Sequence, residues 1–343
     1  MKKPSLKTIA AEVGVSVSTV SRVLNNDATC YVSSLKRDAI MEAIRRHKYT
    51  PNLNARNLLQ GKTSNVAFVT RKFDHFQRSG PFLLTSIDGI QEELQKFGYS
   101  CSLVTIDSPN DTRRLINKMS LYDGIIFGRA VLDDETFGIL EEREKPTVFM
   151  DESNLSGRNI SCVRINKEAG IGELEKHLRL SGCRRVALYG VSEYAGLFRD
   201  ACDGAGFSIG EMDIFHFAQH NTYSLMLDAY EHAGELLKKL SSYDAVCCTN
   251  DFVAYGLCKR LEANRIIPGK DIAVSGFDNI DEILDIPAEQ RFLTTVDNPR
   301  KTMGRECAKL LLRWIDGGET AKNTLLEIDS KLVVRSSTAN FKA

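Results

Sequence analysis

Over the first fifty residues apolar positions recur three and four apart; beyond residue 64 they gather into short runs separated by amphipathic stretches. The first pattern is helical. Ile9, Ala10 and Val13 share one face of a segment from about Leu6 to Val13, with Ser5 placed to cap it and Gly14 suited to the left-handed position that ends it. Ser16 is a cap for a second helix, Val17 to Leu24, which would bury Val20, Val23 and Leu24. A third, from about Ser34 to His47, is expected to pack Leu35, Ile40, Ala43 and Ile44 beneath the pair. The short turn Gly14-Val15-Ser16 and the small Ala10 let the second helix cross closely over the first, which describes a helix-turn-helix.

The second helix carries short side chains on its outer face, and no long acidic ones. That suits a DNA major groove, which admits a helix whose leading side chains are compact. Ser16, Thr19 and Ser21 are placed for phosphates, and Val17, Ser18 and Arg22 for base edges. Arg22 either reads a guanine through two parallel donors or contacts phosphate alone. The following YTPNLNARNLLQGKT, Tyr49 to Thr63, holds a turn or two of potential helix, too short to be stable unless docked. Leu58 there is either a wedge between base pairs in the minor groove or a stray side chain on a linker. Asn25, Asn52, Ala55 and Arg56 complete the residues expected at DNA.

The later runs VAFVT, CSLVTI, DGIIFG, TVFMDE, RVALYG, DAVCCTN and IAVSGFDN read as strands buried on both faces. Helical stretches such as LTSIDGIQEELQKFG and AYGLCKRLEANRI lie between them. The alternation implies a doubly wound parallel α/β architecture in two similar halves.

Charge sharpens this division. Residues 1–64 hold 11 Lys/Arg and 4 Asp/Glu, an excess of +7, and the remainder holds 34 and 41, an excess of −7. A basic end on an acidic body fits a polyanionic partner. The 343 residues exceed one small core, and 43% apolar with 26% charged residues reads as globular. No run approaches the ~20 apolar residues of a membrane span. The start MKKPSLKT gives no expectation of a secretory signal, so a cytoplasmic location is expected. Nine scattered cysteines without a C-x-x-C suggest buried thiols rather than disulfides or a zinc site.

TIAAEVGVSVSTVSRVLNN followed by YTPNLNARNL resembles the DNA-binding headpiece and hinge of the LacI–GalR family of bacterial transcription regulators. TNDFVAYG, IIPGKDIAVSGFDN, FLTTVDNP and LVVRSST resemble its later signatures, more loosely. The turn NNDATCYVSS is longer than the family's usual one. The resemblance implies a small all-α helix-turn-helix headpiece (1–49), a hinge (50–63) and a periplasmic-binding-protein-like effector and dimerisation domain (64–340). Its subdomains would be 64–166 with 296–327 and 167–295 with 328–340, joined by crossovers near Asn166, Val296 and Ile328.

Ligands of such sheets collect at the carboxyl ends of the strands. There lie Arg129, Asp151, Glu152, Asn250, Asp251 and Asp278, which with a ring such as Phe82 or Phe217 would suit a polyhydroxy ligand. The resemblance carries pocket roles to Phe82, Asp151, Asn250 and Asp278; Asn250 and Asp278 are equally placed to cap helices. The family usually has a sugar-gripping arginine where this chain has Tyr194. Arg71, Lys72, Arg78 and Arg129 suit either a phosphorylated effector or a solvated surface.

Rival chemistries fit less well. GFSIG, Gly206 to Gly210, lacks the strand before and helix after that a hydrolase elbow requires. GKT at Gly61 lacks the earlier glycine of a phosphate loop, Arg56 standing there. His216 and His220 of HFAQH lack a further zinc ligand. The expectation is a homodimeric, non-enzymatic regulator without metal or cofactor, binding an inverted-repeat operator under control of a small sugar or sugar phosphate. It would be a repressor of carbohydrate use, of either effector sign, and a dimer because one headpiece covers only a half-site, with no leucine heptads after LVVRSSTANF for the tetramer of some relatives. A constitutive regulator with a decayed effector site, or a sugar-binding protein with a basic arm, are the alternatives.

Overall fold

The computed structural model describes residues 5–24, 27, 29–49, 62–71, 76–128, 132–151, 160–204, 206, 213–218, 224–317, 323–339 and 341, except for the side chains of 76–79, 81, 109, 193, 194 and 197. The chain divides into two compact units, Met1–Lys62 and Thr63–Ala343.

In the first unit α1 (Leu6–Val13) starts on Ser5, whose hydroxyl accepts from the Thr8 amide, and ends on Gly14 at φ 67°. After α2 (Val17–Leu24), α3 (Ser34–Arg46) is capped by Ser33. Each such cap stabilises its helix by ~1 kcal/mol. Ile9, Ala10, Val20, Val23, Ile40, Ala43 and Ile44 form one buried cluster. Leu35 does not join it. At 82% exposure it lies on the outer side of α3, because the buried face of that helix is set by Ile40, Ala43 and Ile44. Arg46 closes the unit by an ion pair to Glu12 at 2.9 Å. His47, hydrogen-bonded to the same carboxylate, is the main cause of its depressed pKa.

The second unit runs β1 (Asn65–Arg71), α4 (Phe76–Lys96), β2 (Ser100–Ile106), α5 (Pro109–Asn117), β3 (Gly124–Gly128), α6 (Asp134–Glu142), β4 (Thr147–Met150) and β5 (Ser161–Asn166). It continues with α7 (Lys167–Leu180), β6 (Val186–Val191), α8 (Ser192–Gly204), β7 (Ile214–Phe217), α9 (Leu225–His232), α10 (Gly234–Lys239), β8 (Ala245–Cys248), α11 (Asp251–Ala263) and β9 (Ala273–Phe277). Then come α12 (Ile280–Ile283), β10 (Thr294–Asp297), α13 (Arg300–Ile315), β11 (Leu325–Asp329), β12 (Lys331–Val333) and α14 (Ser336–Ala339).

These strands make two sheets, ordered β11-β5-β4-β3-β1-β2 and β12-β10-β9-β8-β6-β7. Every pairing is parallel except β10 with β12. The central strands β3, β4, β8 and β9 are buried along their whole length, as unbroken apolar runs covered on both faces must be. β2 departs from that expectation. It is an edge strand whose residues are exposed or half-buried except for Ile106, Leu103 being 50% exposed.

The chain crosses between halves three times. The first crossing follows Asn166. The second and third fall at Asn298–Pro299 and at Ser330, two residues past the expected Val296 and Ile328, which lie inside β10 and β11. The crossovers are stitched together: the Asn166 amide donates to Asp329 at 2.8 Å. Buried Ser330 donates to the Asn166 carbonyl and accepts from the Gly170 amide. After the second crossing α13 returns to the first half, burying Met303, Cys307 and Leu311 with Val66, Phe68, Ile90 and Leu94. It packs backbone-close on α4: a Cβ at Gly89 would stand 2.1 Å from the Lys301 carbonyl oxygen, and one at Gly304 2.1 Å from that of Ser86. That close packing positions the residues at the junction.

Candidate nucleic-acid interface and ligand site

α2 has no acidic residue in its first turn and leaves Val17, Ser18 and Arg22 exposed, while Thr19 and Ser21 are half-buried. The Ser16 hydroxyl accepts from the Thr19 amide at 3.0 Å and lies 2.7 and 2.8 Å from the hydroxyls of Ser18 and Thr19. Three hydroxyls gathered at the positive end of a helix suit a phosphate group. Arg22 is held only loosely, its Nε 3.8 Å from Asp27. Hydrogen bonds from Thr29 are the chief reason that the Asp27 carboxyl sits below its usual range. Asn25, Asn52, Ala55, Arg56 and Leu58 lie outside the described residues.

At the junction of the two halves, Phe82 from α4 meets Phe252 from α11 edge to face, centroids 6.4 Å apart. The Arg300 guanidinium lies 5.1 Å above the Phe82 ring. Asp278, at φ 102° just beyond β9, accepts at Oδ1 from the Asn298 amide at 2.8 Å and from an Arg300 Nη at 3.4 Å. It therefore caps no helix. Asp151 is also in the left-handed region, at φ 54°, and faces Lys167 across the first crossover at 3.8 Å. Among the described residues Asn298 Oδ1 and Arg300 Nε at this junction are buried without a hydrogen-bond partner. Each such atom costs ~1–3 kcal/mol unless something fills its need.

Two residues expected at the pocket have partners within the chain. Phe217 is only 4% exposed and belongs to the core of the second half, against Tyr189 at 5.3 Å and stacked on His232 at 5.5 Å. It is the last residue of β7, where side-chain alternation turns it inward. Asn250 accepts from the Val253 amide at 3.0 Å and caps α11. Asp251 is buried as well, holding β10 through Thr295 (2.6 Å) and α12 through the Ile280 amide (2.8 Å). Burial raises its pKa well above the usual carboxylate range. Arg129, Glu152, Lys72 and His220 lie outside the described residues, and His216 sits on β7 with its Nδ1 2.9 Å from the Ser192 hydroxyl.

Phe252, Asn298 and Arg300 were not singled out from sequence. Asn298 and Arg300 flank a proline directly after a strand, a signal of a crossover rather than of a site.

The pattern described as "Bacterial regulatory proteins, lacI family" matches residues 5–52, and "Periplasmic binding protein-like domain" matches 176–338. The HTH-type transcriptional regulator CelR of Thermobifida fusca is 30% identical over 348 residues, 98% of each chain. The sucrose operon repressor of Escherichia coli is 28% identical, over 97% of this chain and 99% of that one. Among solved structures, a transcriptional regulator CelR–cellobiose complex is 27% identical, aligns with a TM-score of 0.65 and covers 97% of this chain and 99% of that one. With a headpiece of this family at one end and similarity along almost its whole length, the chain belongs to the lacI family of bacterial regulatory proteins, as a helix-turn-helix transcriptional regulator.

Proposed function

We propose that this regulator is a repressor of carbohydrate use, controlled by a small sugar or sugar phosphate bound at the junction of its two α/β halves. One observation carries the reading: Asn298 Oδ1 and Arg300 Nε are buried without partners among the described residues, on side chains that both bond Asp278, and Arg300 lies over one of a pair of aromatic rings. A sugar is the ligand class that brings hydroxyls to such atoms and an apolar face to a ring. Similarity to a regulator solved with cellobiose and to a sucrose operon repressor supports that class.

The chain acts as a cytoplasmic homodimer on an inverted repeat, with one headpiece per half-site. In each headpiece Ser16, Thr19 and Ser21 hold phosphates while Val17, Ser18 and Arg22 face base edges. Asn25 and hinge residues Asn52, Ala55, Arg56 and Leu58 complete the contact. Ligand binding changes the angle between the halves and so the spacing of the two hinges in the dimer. Control then needs only a difference of ~1–3 kcal/mol between the ligand's affinities for the two states, a five- to 150-fold change in operator affinity.

The test is operator binding by fluorescence anisotropy, on a duplex selected from random sequence, with cellobiose, sucrose, glucose and glucose 6-phosphate. At least one should shift the affinity by a factor in that range. If none does, and none raises the unfolding temperature, the regulator is not under sugar control.

A further inference from the structure

We propose that Arg300 is the arginine that grips the effector in this protein, by holding two adjacent hydroxyls jointly with Asp278. The assignment rests on the reading of the junction as the effector site.

Arg300 is the first residue of α13, and the core of the first half holds that helix. Asp278 follows β9 and belongs to the second half. The guanidinium therefore reaches across the junction. Its position is fixed from below by the Phe82 ring at 5.1 Å, which is itself braced by Phe252. A flat cation lying on a ring keeps its N–H edges pointing sideways, available to acceptors in its own plane.

The existing contacts leave that edge incompletely used. Its Nη contact to Asp278 Oδ1 is long, 3.4 Å, and that oxygen already takes the shorter Asn298 bond of 2.8 Å. Nε is buried without a partner among the described residues, and so is Oδ1 of Asn298, which shares the Asp278 oxygen with Arg300. A closed structural ion pair of Arg with Asp has short parallel bonds and a satisfied fork, which this one lacks.

A pair of neighbouring sugar hydroxyls completes the arrangement. Each hydroxyl accepts from one N–H of the guanidinium edge and donates in turn, one to Asp278 and the other to Asn298 Oδ1. Because the arginine and the aspartate come from opposite halves, a diol held between them also ties the halves together. The contact that recognises the ligand is thus the contact that sets the angle between the halves.

The test uses the full chain as wild type, Arg300→Lys and Arg300→Gln, with the four sugars above and mono-deoxy analogues of the tightest binder. Calorimetry gives the affinity, and operator affinity with sugar divided by that without gives the response. Both variants should bind that sugar at least tenfold more weakly. Lysine keeps the charge over Phe82 and toward Asp278 but lacks two parallel donors. Removing one gripped hydroxyl should weaken wild-type binding tenfold and leave Arg300→Gln indifferent. If Arg300→Lys binds and responds like wild type, Arg300 is a structural cation and the assignment falls while the sugar site stands. A deoxy penalty equal in wild type and Arg300→Gln has the same meaning. If no sugar binds wild type, the sugar site falls and the assignment with it.

Discussion

Arg22 shows how little a single residue need give up to change partners. Its pair with Asp27 is 3.8 Å long and its side chain is 59% exposed, so the pair is weak and screened by solvent. A bidentate contact to guanine is worth ~1–3 kcal/mol. Releasing Asp27 therefore costs less than base contact returns. Replacing Arg22 with alanine should weaken operator binding by ~1–3 kcal/mol and relax the preference at one base pair. Mobility-shift titrations on single-base operator variants measure this, and an equal loss on random DNA would show that Arg22 touches only phosphate. Arg22 is legible from sequence because its setting is local, a helix of eight residues between a cap and a turn. Arg300 is not, because its partners Phe82 and Asp278 come from distant parts of the chain.

At the scale of elements, the contact that matters is α13 on α4. Alanine at Gly304 would gain up to ~1 kcal/mol of helix propensity but place its Cβ 2.1 Å from the Ser86 carbonyl oxygen. The obstacle is backbone, so the helices must move apart, at a cost of ~1–3 kcal/mol. We expect Gly304→Ala to lower stability by about 1–2 kcal/mol net in urea unfolding and to blunt the sugar response by displacing Arg300. A more stable variant would mean that the two helices slide freely. Sequence patterning found the later part of α4 but not its start at Phe76, since Gly80 and Pro81 are both poor residues for a helix interior. It missed β5 and β11, whose polar residues interrupt the apolar run: β11 alternates exposed and half-buried along the sheet edge.

For the whole molecule, the excess of +7 in residues 1–64 against −7 in the rest separates the charge that meets DNA from the charge that would repel it. A half-site contacted by one small headpiece gives modest affinity, and a two-fold protein on a two-fold site joins two such contacts. Sedimentation with an inverted-repeat duplex should give two chains per duplex. Removing one half-site should reduce affinity by well over tenfold. A stable complex of one chain with full affinity would end the dimer reading.

Sequence by itself determined the headpiece and the class of fold. Helix caps, a left-handed glycine and apolar periodicity act over a few residues, and buried parallel strands announce themselves as unbroken apolar runs. Tertiary structure decided which polar residues meet. Phe217, Asn250 and Asp251 all lie at strand ends, where ligand residues gather, yet one fills the core, one caps a helix and one braces two elements from within. Asn298 and Arg300 carry no local pattern, and their partnerless atoms became visible only once two sheets and three crossovers brought both side chains onto Asp278. Periodicity fixes whether a side chain faces inward or outward; what it faces depends on the packing of segments far apart in the chain.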